Sequence, residues 1–169
     1  MSIYKYNQQF EHIHALETPF EVGEYEECVF SHVDFGGANL TDFNFSGCVF
    51  EHCKLLGLRF ETCNTLIFLV SFADCLLDHS SFYQLKLKKM PILRCSLKEV
   101  DFTEADLSEV NFADCNLMDA LFDRTILEKA NFTTAQYYRI DPNTNNIKKA
   151  KFSLDGLPGL LTSYNIEIL

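Results

Sequence analysis

Every fifth residue of this chain is large and apolar over most of its length. The series runs Phe20, Tyr25, Phe30, Phe35, Leu40, Phe45, Phe50, Leu55 and Phe60. After a shift of two residues it resumes at Ile67 and continues through Phe72, Leu77, Phe82, Leu87, Ile92, Leu97, Phe102, Leu107, Phe112, Leu117, Phe122, Leu127 and Phe132 to Tyr137. A helix repeats its face about every 3.6 residues and a strand about every 2, so neither can hold this spacing on one side. The chain must turn a corner every five residues.

A second column supports the first. The residue two before each apolar centre is mostly small, as in Gly23, Cys28, Val33, Ala38, Cys48, Cys53, Val70, Cys75, Ser80, Cys95, Val100, Ala105, Val110, Cys115, Ala120, Thr125, Ala130 and Ala135. All seven cysteines fall in this slot when Cys63 is counted in the register inherited from Phe60. One large and one small inward residue per five describe a narrow filled interior, and the other three positions carry nearly all the charge.

Units such as Ala38-Asn39-Leu40-Thr41-Asp42, Ala105-Asp106-Leu107-Ser108-Glu109 and Ala130-Asn131-Phe132-Thr133-Thr134 resemble the pentapeptide repeat family. The resemblance covers residues 18–157. It implies an all-β fold, a right-handed quadrilateral parallel β-helix with four pentapeptides to each coil, about six coils in all. Steps of four pentapeptides keep the faces distinct: Phe72, Ile92, Phe112, Phe132 and Phe152 form one column, and Phe82, Phe102 and Phe122 another. Ile147 and Phe152 stay in phase across the turn-rich 141–146, which replaces a corner without losing the coil.

Three segments depart from the repeat. The two extra residues at 61–66 predict a bulge, followed by an outward-facing apolar patch at Leu66, Phe68 and Leu69. Such a patch is covered locally by the insert, binds a partner or promotes aggregation. Residues 1–17 read as an N-terminal cap. Residues 158–169 read as a short capping helix followed by a strand over Ile166–Leu169. In the family this closure also supports a head-on homodimer, for which Leu160, Leu161, Ile166 and Ile168 are the candidate residues.

The seven cysteines are then buried, reduced space-fillers, which agrees with a cytoplasmic location. No C-x-x-C pair, P-loop, G-x-S-x-G or G-x-G-x-x-G motif occurs. His32 and His52 are expected to stack in one outward column. Asp34, Asn39, Asn44, Asp101, Asp106, Asn111, Asn116 and Asn131, each just before a centre, are read as side chains bonding the turning backbone rather than as paired catalytic carboxylates. No enzyme activity, cofactor or metal is expected.

Charge is what the repeat leaves over. The chain of 169 residues has 24 acidic and 14 basic side chains, a formal charge of −10. That balance disfavours direct binding to nucleic acid or to an anionic membrane and favours a basic or apolar protein partner. No apolar run approaches the roughly 20 residues of a membrane span. The charge is banded: −7 over 1–61, +2 over 62–94, −7 over 95–123 and +2 over 124–169. The third band, Glu99, Asp101, Glu104, Asp106, Glu109, Asp114, Asp119 and Asp123 against Lys98, is the candidate acidic interaction surface. Family members of the quinolone-resistance type resemble a DNA-like acidic rod and occupy the DNA saddle of DNA gyrase, a type II topoisomerase. This chain differs from them in its basic coil at 86–94 and in having no long projecting loops. Two roles follow: a non-catalytic protein-interaction scaffold, or a DNA mimic that protects gyrase from quinolones or a toxin.

Overall fold

A left-handed residue at the close of each pentapeptide turns the chain. In the computed structural model, which describes residues 3–64, 66 and 68–168, positive φ recurs two places after most apolar centres. Glu27, His32, His52, His79, Glu104 and Lys129 are examples, with φ of 53°, 54°, 53°, 62°, 59° and 59°. In most repeats the carbonyl of the centre also accepts the N–H three residues on, as Phe102 does from Ala105 at 3.1 Å and Leu127 from Ala130 at 3.0 Å. A four-residue turn with φ above zero at its third position has the φ pattern of type II.

Glycine fills this corner only at Gly37, Gly47 and Gly57. Elsewhere an L-residue bears a cost of about 1–2 kcal/mol in the left-handed region. Lys129, which forms no ion pair among the described residues, isolates the effect. Lys129→Gly is expected to stabilise the protein by about 0.5 kcal/mol, the relieved strain less the added chain entropy. Lys129→Ile, β-branched, should destabilise it, and urea midpoints of the two variants measured in parallel check both signs.

Between corners the backbone pairs with the coils on either side, always in parallel. The strands are β1 (Ile3–Tyr6), β2 (Gln9–Glu11), β3 (Gly23–Glu26), β4 (Val29–Ser31), β5 (Asn44–Glu51), β6 (Leu69–Ala73) and β7 (Ile92–Leu93). They form one sheet in the order β1-β3-β5-β4-β2, with β6 joining β5 to β7. Outside these strands the coils pair through single bridges one coil apart. One such ladder runs from His14 through Asp34, Lys54, Leu76, Ser96 and Asn116 to Gln136. The chain is therefore a parallel β-solenoid with almost no helix.

The inward columns fill its axis. Phe60, Phe82, Phe102 and Phe122 stack with ring centroids 4.5, 5.5 and 5.4 Å apart. Phe112, Phe132 and Phe152 follow at 4.9 and 5.3 Å on a neighbouring face. The small slot is buried throughout the central coils, and Phe43, Leu58, Leu85 and Met90 fill it where a larger residue is needed.

Four expectations are corrected. Residues 3–16 are a further coil rather than a separate cap, since Ile3 pairs with Gly23, Phe10 with Phe30 and His14 with Asp34. The period is hidden there because Lys5 and Ala15 occupy centre positions, opposite Tyr25 and one repeat after Phe10. Phe68 points inward, only 8% exposed and in edge contact with Phe60 at 6.1 Å. The reason is a register shift: Ser46 pairs with Leu69 but Cys48 pairs with Val70, so β5 spends the extra residue, Gly47, as a bulge. Near the other end Tyr137 takes the left-handed corner and is exposed, while Tyr138 fills the inward place against Phe132 and Phe152.

The expected C-terminal closing helix is short and of 3-10 type, and the expected terminal strand is absent among the described residues. The chain makes two 3-10 turns, Leu157–Leu160 and Thr162–Tyr164, and residues 166–168 join no strand. Pro158 removes a backbone donor, and Asn165 in the left-handed region ends the second turn. The Ile67 centre and Leu169 lie outside the described residues.

Candidate functional site

Because successive coils stack in register, a corner side chain lies beside its counterpart four pentapeptides away, and this spacing decides which charges remain uncompensated. In the band at 95–123, Glu99 meets His79 at 3.4 Å and Glu104 meets Arg124 at 2.9 Å. Glu109 lies 3.9 and 3.8 Å from Lys88 and Lys89, and Asp119 lies 3.7 Å from Arg139. Asp123 meets Arg124 at 3.2 Å. Asp101 and Asp106 use a carboxylate oxygen to cap their own turns, accepting the N–H of Thr103 at 2.8 Å and of Ser108 at 3.0 Å. The Asp114 N–H donates to Thr134 Oγ1 at 2.9 Å, and its carboxylate forms no ion pair within 4.0 Å among the described residues. The band is thus neutralised in part along the rod axis: Glu104, Glu109, Asp119 and Asp123 face Arg or Lys, Glu99 faces a histidine, and Asp101, Asp106 and Asp114 face no cation among the described residues.

The same rule leaves the first band bare. Of its ten acidic residues, only Asp34 and Glu61 have a cation within 4.0 Å among the described residues. Asp34 is held below the usual carboxylate range, chiefly by the Gly36 N–H and then by Lys54. Glu24 and Glu26 face Asn44 and Ser46 on the next coil, and Glu11 faces Ser31, all neutral. Exposed Tyr4 and Tyr6 flank them, and Tyr4 donates its hydroxyl to Glu26 at 2.6 Å, which pushes the phenol up to about 12. A linear count of charge misses this set, whereas comparing each charge with its counterpart one coil on reveals it.

The remaining candidates divide. Leu69 is 61% exposed beside the bulge and Leu66 is nearly fully exposed, whereas Phe68 is core. Leu160 packs on the last coil, Leu161 is half-buried, and Ile166 and Ile168 are exposed. His12, His32 and His52 stack on one corner at 4.9 and 4.8 Å. Among the described residues no group of three or more His, Cys, Asp or Glu side chains is arranged to hold a metal ion.

All seven cysteines are free and buried. Volume is half of their role. Cys48 Sγ donates to the Tyr25 carbonyl at 3.2 Å, Cys53 to Phe30 at 3.3 Å, Cys75 to Phe50 at 3.3 Å and Cys115 to Ile92 at 3.4 Å, so each thiol ties its coil to the one before. Burial pushes the Cys48 and Cys63 thiols up to about 12 and Tyr25 likewise. A raised folded-state pKa means that the unfolded chain loses protons first, so these groups contribute full stability below about pH 9 and lose it as pH rises toward 12. A thiol-reactive chromogenic disulfide at pH 8 is expected to find no rapidly reacting thiol in the native protein and seven in guanidinium. A rapid native reaction would contradict the burial of this column.

Comparison with known proteins agrees with this architecture. A model described as a pentapeptide repeat region matches residues 24–102, and one of pentapeptide repeats in eight copies matches residues 95–135. No curated protein matches the sequence. Among solved structures, the chain is similar to trypsin-treated QnrB1, a plasmid-mediated fluoroquinolone resistance protein, at 16% identity and TM-score 0.37, with 99% of this chain and 100% of that one covered. It is also similar to HetL, from the cyanobacterium Nostoc sp. strain PCC 7120 and involved there in heterocyst differentiation regulation, at 13% identity and TM-score 0.49 over 90% and 88% of the two chains. Repeat spacing, corner geometry and matched models coincide over the same residues, and the chain belongs to the pentapeptide repeat family.

Proposed function

We propose that the protein is a non-catalytic interaction scaffold that offers its first coils to a basic protein partner. The observation that carries this reading is the uncompensated acid of residues 11–51, eight carboxylates without a cation within 4.0 Å among the described residues, beside exposed Tyr4 and Tyr6. Unpaired like charges gathered on one surface repel one another, and a cationic partner relieves that repulsion while the tyrosines supply contact area. A filled axis leaves little room for an enclosed catalytic site.

Glu24→Lys with Glu26→Lys tests it. A partner captured by the wild type at low salt should be lost with this variant and released from the wild type by added salt. Equal capture by both proteins, or capture insensitive to salt, would reject the surface.

The gyrase-directed DNA mimic is the second reading, favoured by the net charge of −10 and by the uncompensated acid of the first coils. It is weakened by the pairing of Glu99, Glu104, Glu109, Asp119 and Asp123. Supercoiling assays decide it: neither inhibition of gyrase nor rescue from ciprofloxacin at large molar excess of protein would remove this role.

A further inference from the structure

The register break that buries Phe68 also opens the wall of the rod. Where β5 bulges, Gly47 carries no side chain and adopts a φ of +67°, and the Glu27 carboxylate of the preceding coil rests where a Cβ would be. Between this point and the strand-like segment one coil on lies a cleft of about 320 Å³. Its floor is apolar, formed by Phe68, Val70, Leu87 and Met90, all buried, and by the neutral Cys48 thiol. Leu69 stands exposed at its lip.

The charged part of the lining has a single sign. Lys86, Lys88 and Lys89 line the cleft, and the one acid at its edge among the described residues is Glu27, whose carboxylate rests against Gly47. Just outside, Lys88 and Lys89 share one carboxylate, Glu109, at 3.9 and 3.8 Å. Two ammonium groups against one carboxylate leave a surplus positive charge. Lys86 has no ion pair within 4.0 Å among the described residues and adds another. Apolar floors of about this volume with a few polar groups at one edge are typical of small-molecule sites.

We propose that this cleft binds an aliphatic carboxylate, with the alkyl chain over Phe68, Leu69 and Met90 and the carboxylate between Lys88 and Lys89. The alkyl chain removes the exposed face of Leu69 from water, and the head group takes the surplus charge that Glu109 leaves. A neutral amphiphile gains only the first of these, and a cationic one is repelled. The site borders the acidic face of the first coils at Gly47, against which Glu27 rests, and does not require the partner proposed for that face.

Calorimetric titration of the full chain with sodium dodecanoate, below the concentration at which it forms micelles, should show one saturable site. Dodecylammonium should bind at least tenfold more weakly. Decanoate, two methylenes shorter, should bind about fifteenfold more weakly. Lys88→Ala with Lys89→Asn should weaken dodecanoate at least tenfold with an unchanged melting temperature, and Leu69→Asp, a surface change, should abolish it. The absence of saturable binding, equal binding of dodecylammonium, or full retention by the lysine variant would each overturn the proposal.

Discussion

Phe102→Ala is expected to cost about 3–5 kcal/mol of unfolding free energy, the range of large aromatic deletions that leave a cavity. Phe102 is fully buried in the middle of its column, stacked on Phe82 and Phe122 and in edge contact with Phe112 at 6.0 Å. Backbone ladders above and below hold the coils at their spacing, through Ser81, Asp101 and Leu121, so the walls cannot collapse into the hole. In a solenoid the damage also falls on coupling, because each coil contacts only its neighbours. The variant should therefore unfold at lower urea and over a broader range, as the coils on either side begin to melt separately. Tyr137→Ala, at an exposed corner, serves as the control and should change stability by less than about 1 kcal/mol. A loss below about 1 kcal/mol at Phe102 would contradict its place in the column.

The period of five is legible because the inward positions of the central coils are large and apolar or small and uncharged, and a deviation by one residue would place a charge inside. It is illegible where that constraint relaxes. Lys5 and Ala15 occupy centre positions of the first coil, which has a neighbour on one side only, so the first coil looked like a separate cap. At Leu66–Leu69 a shift of one residue exchanges inside for outside, and the insert alone does not say which strand absorbs it; Gly47, on the preceding coil, does. The corner residues left no compositional trace, since Glu, Lys, Arg, His, Gln and Asp all take positive φ there. The turn caps were legible: Asp34, Asn39, Asp101, Asp106, Asn116 and Asn131 accept the N–H two residues on. Sequence order sets charges beside their chain neighbours, whereas the fold pairs them from coil to coil, as with Asp74 and Arg94, joined by two hydrogen bonds of 2.8 and 2.7 Å.

Asn145→Ala is the second change expected to be severe, about 3 kcal/mol or more, because it leaves several buried polar groups without partners at about 1–3 kcal/mol each. Asn145 occupies the small slot of the last coil, and its side chain does for that coil what the thiols do for earlier ones. Its Nδ2 donates to the Phe122 carbonyl at 3.0 Å, as Thr125 Oγ1 donates to Phe102 at 2.9 Å. It also donates to the Asp141 carbonyl at 3.0 Å, and its Oδ1 accepts the Thr125 N–H at 2.9 Å. One side chain thereby fastens the 141–146 loop across a coil that lacks its ordinary corner. Alanine would fill the slot and satisfy none of these groups. Asn145→Asp should also be damaging, since a buried carboxylate would face two carbonyl oxygens. Desolvation and that repulsion would raise its folded-state pKa, so the aspartate variant should recover stability as pH falls, whereas the alanine variant should not. Urea unfolding at pH 7 and pH 5, with amide exchange of Thr125 as the local probe, measures both. Unchanged Thr125 protection in Asn145→Ala would mean that the loop is held by other contacts.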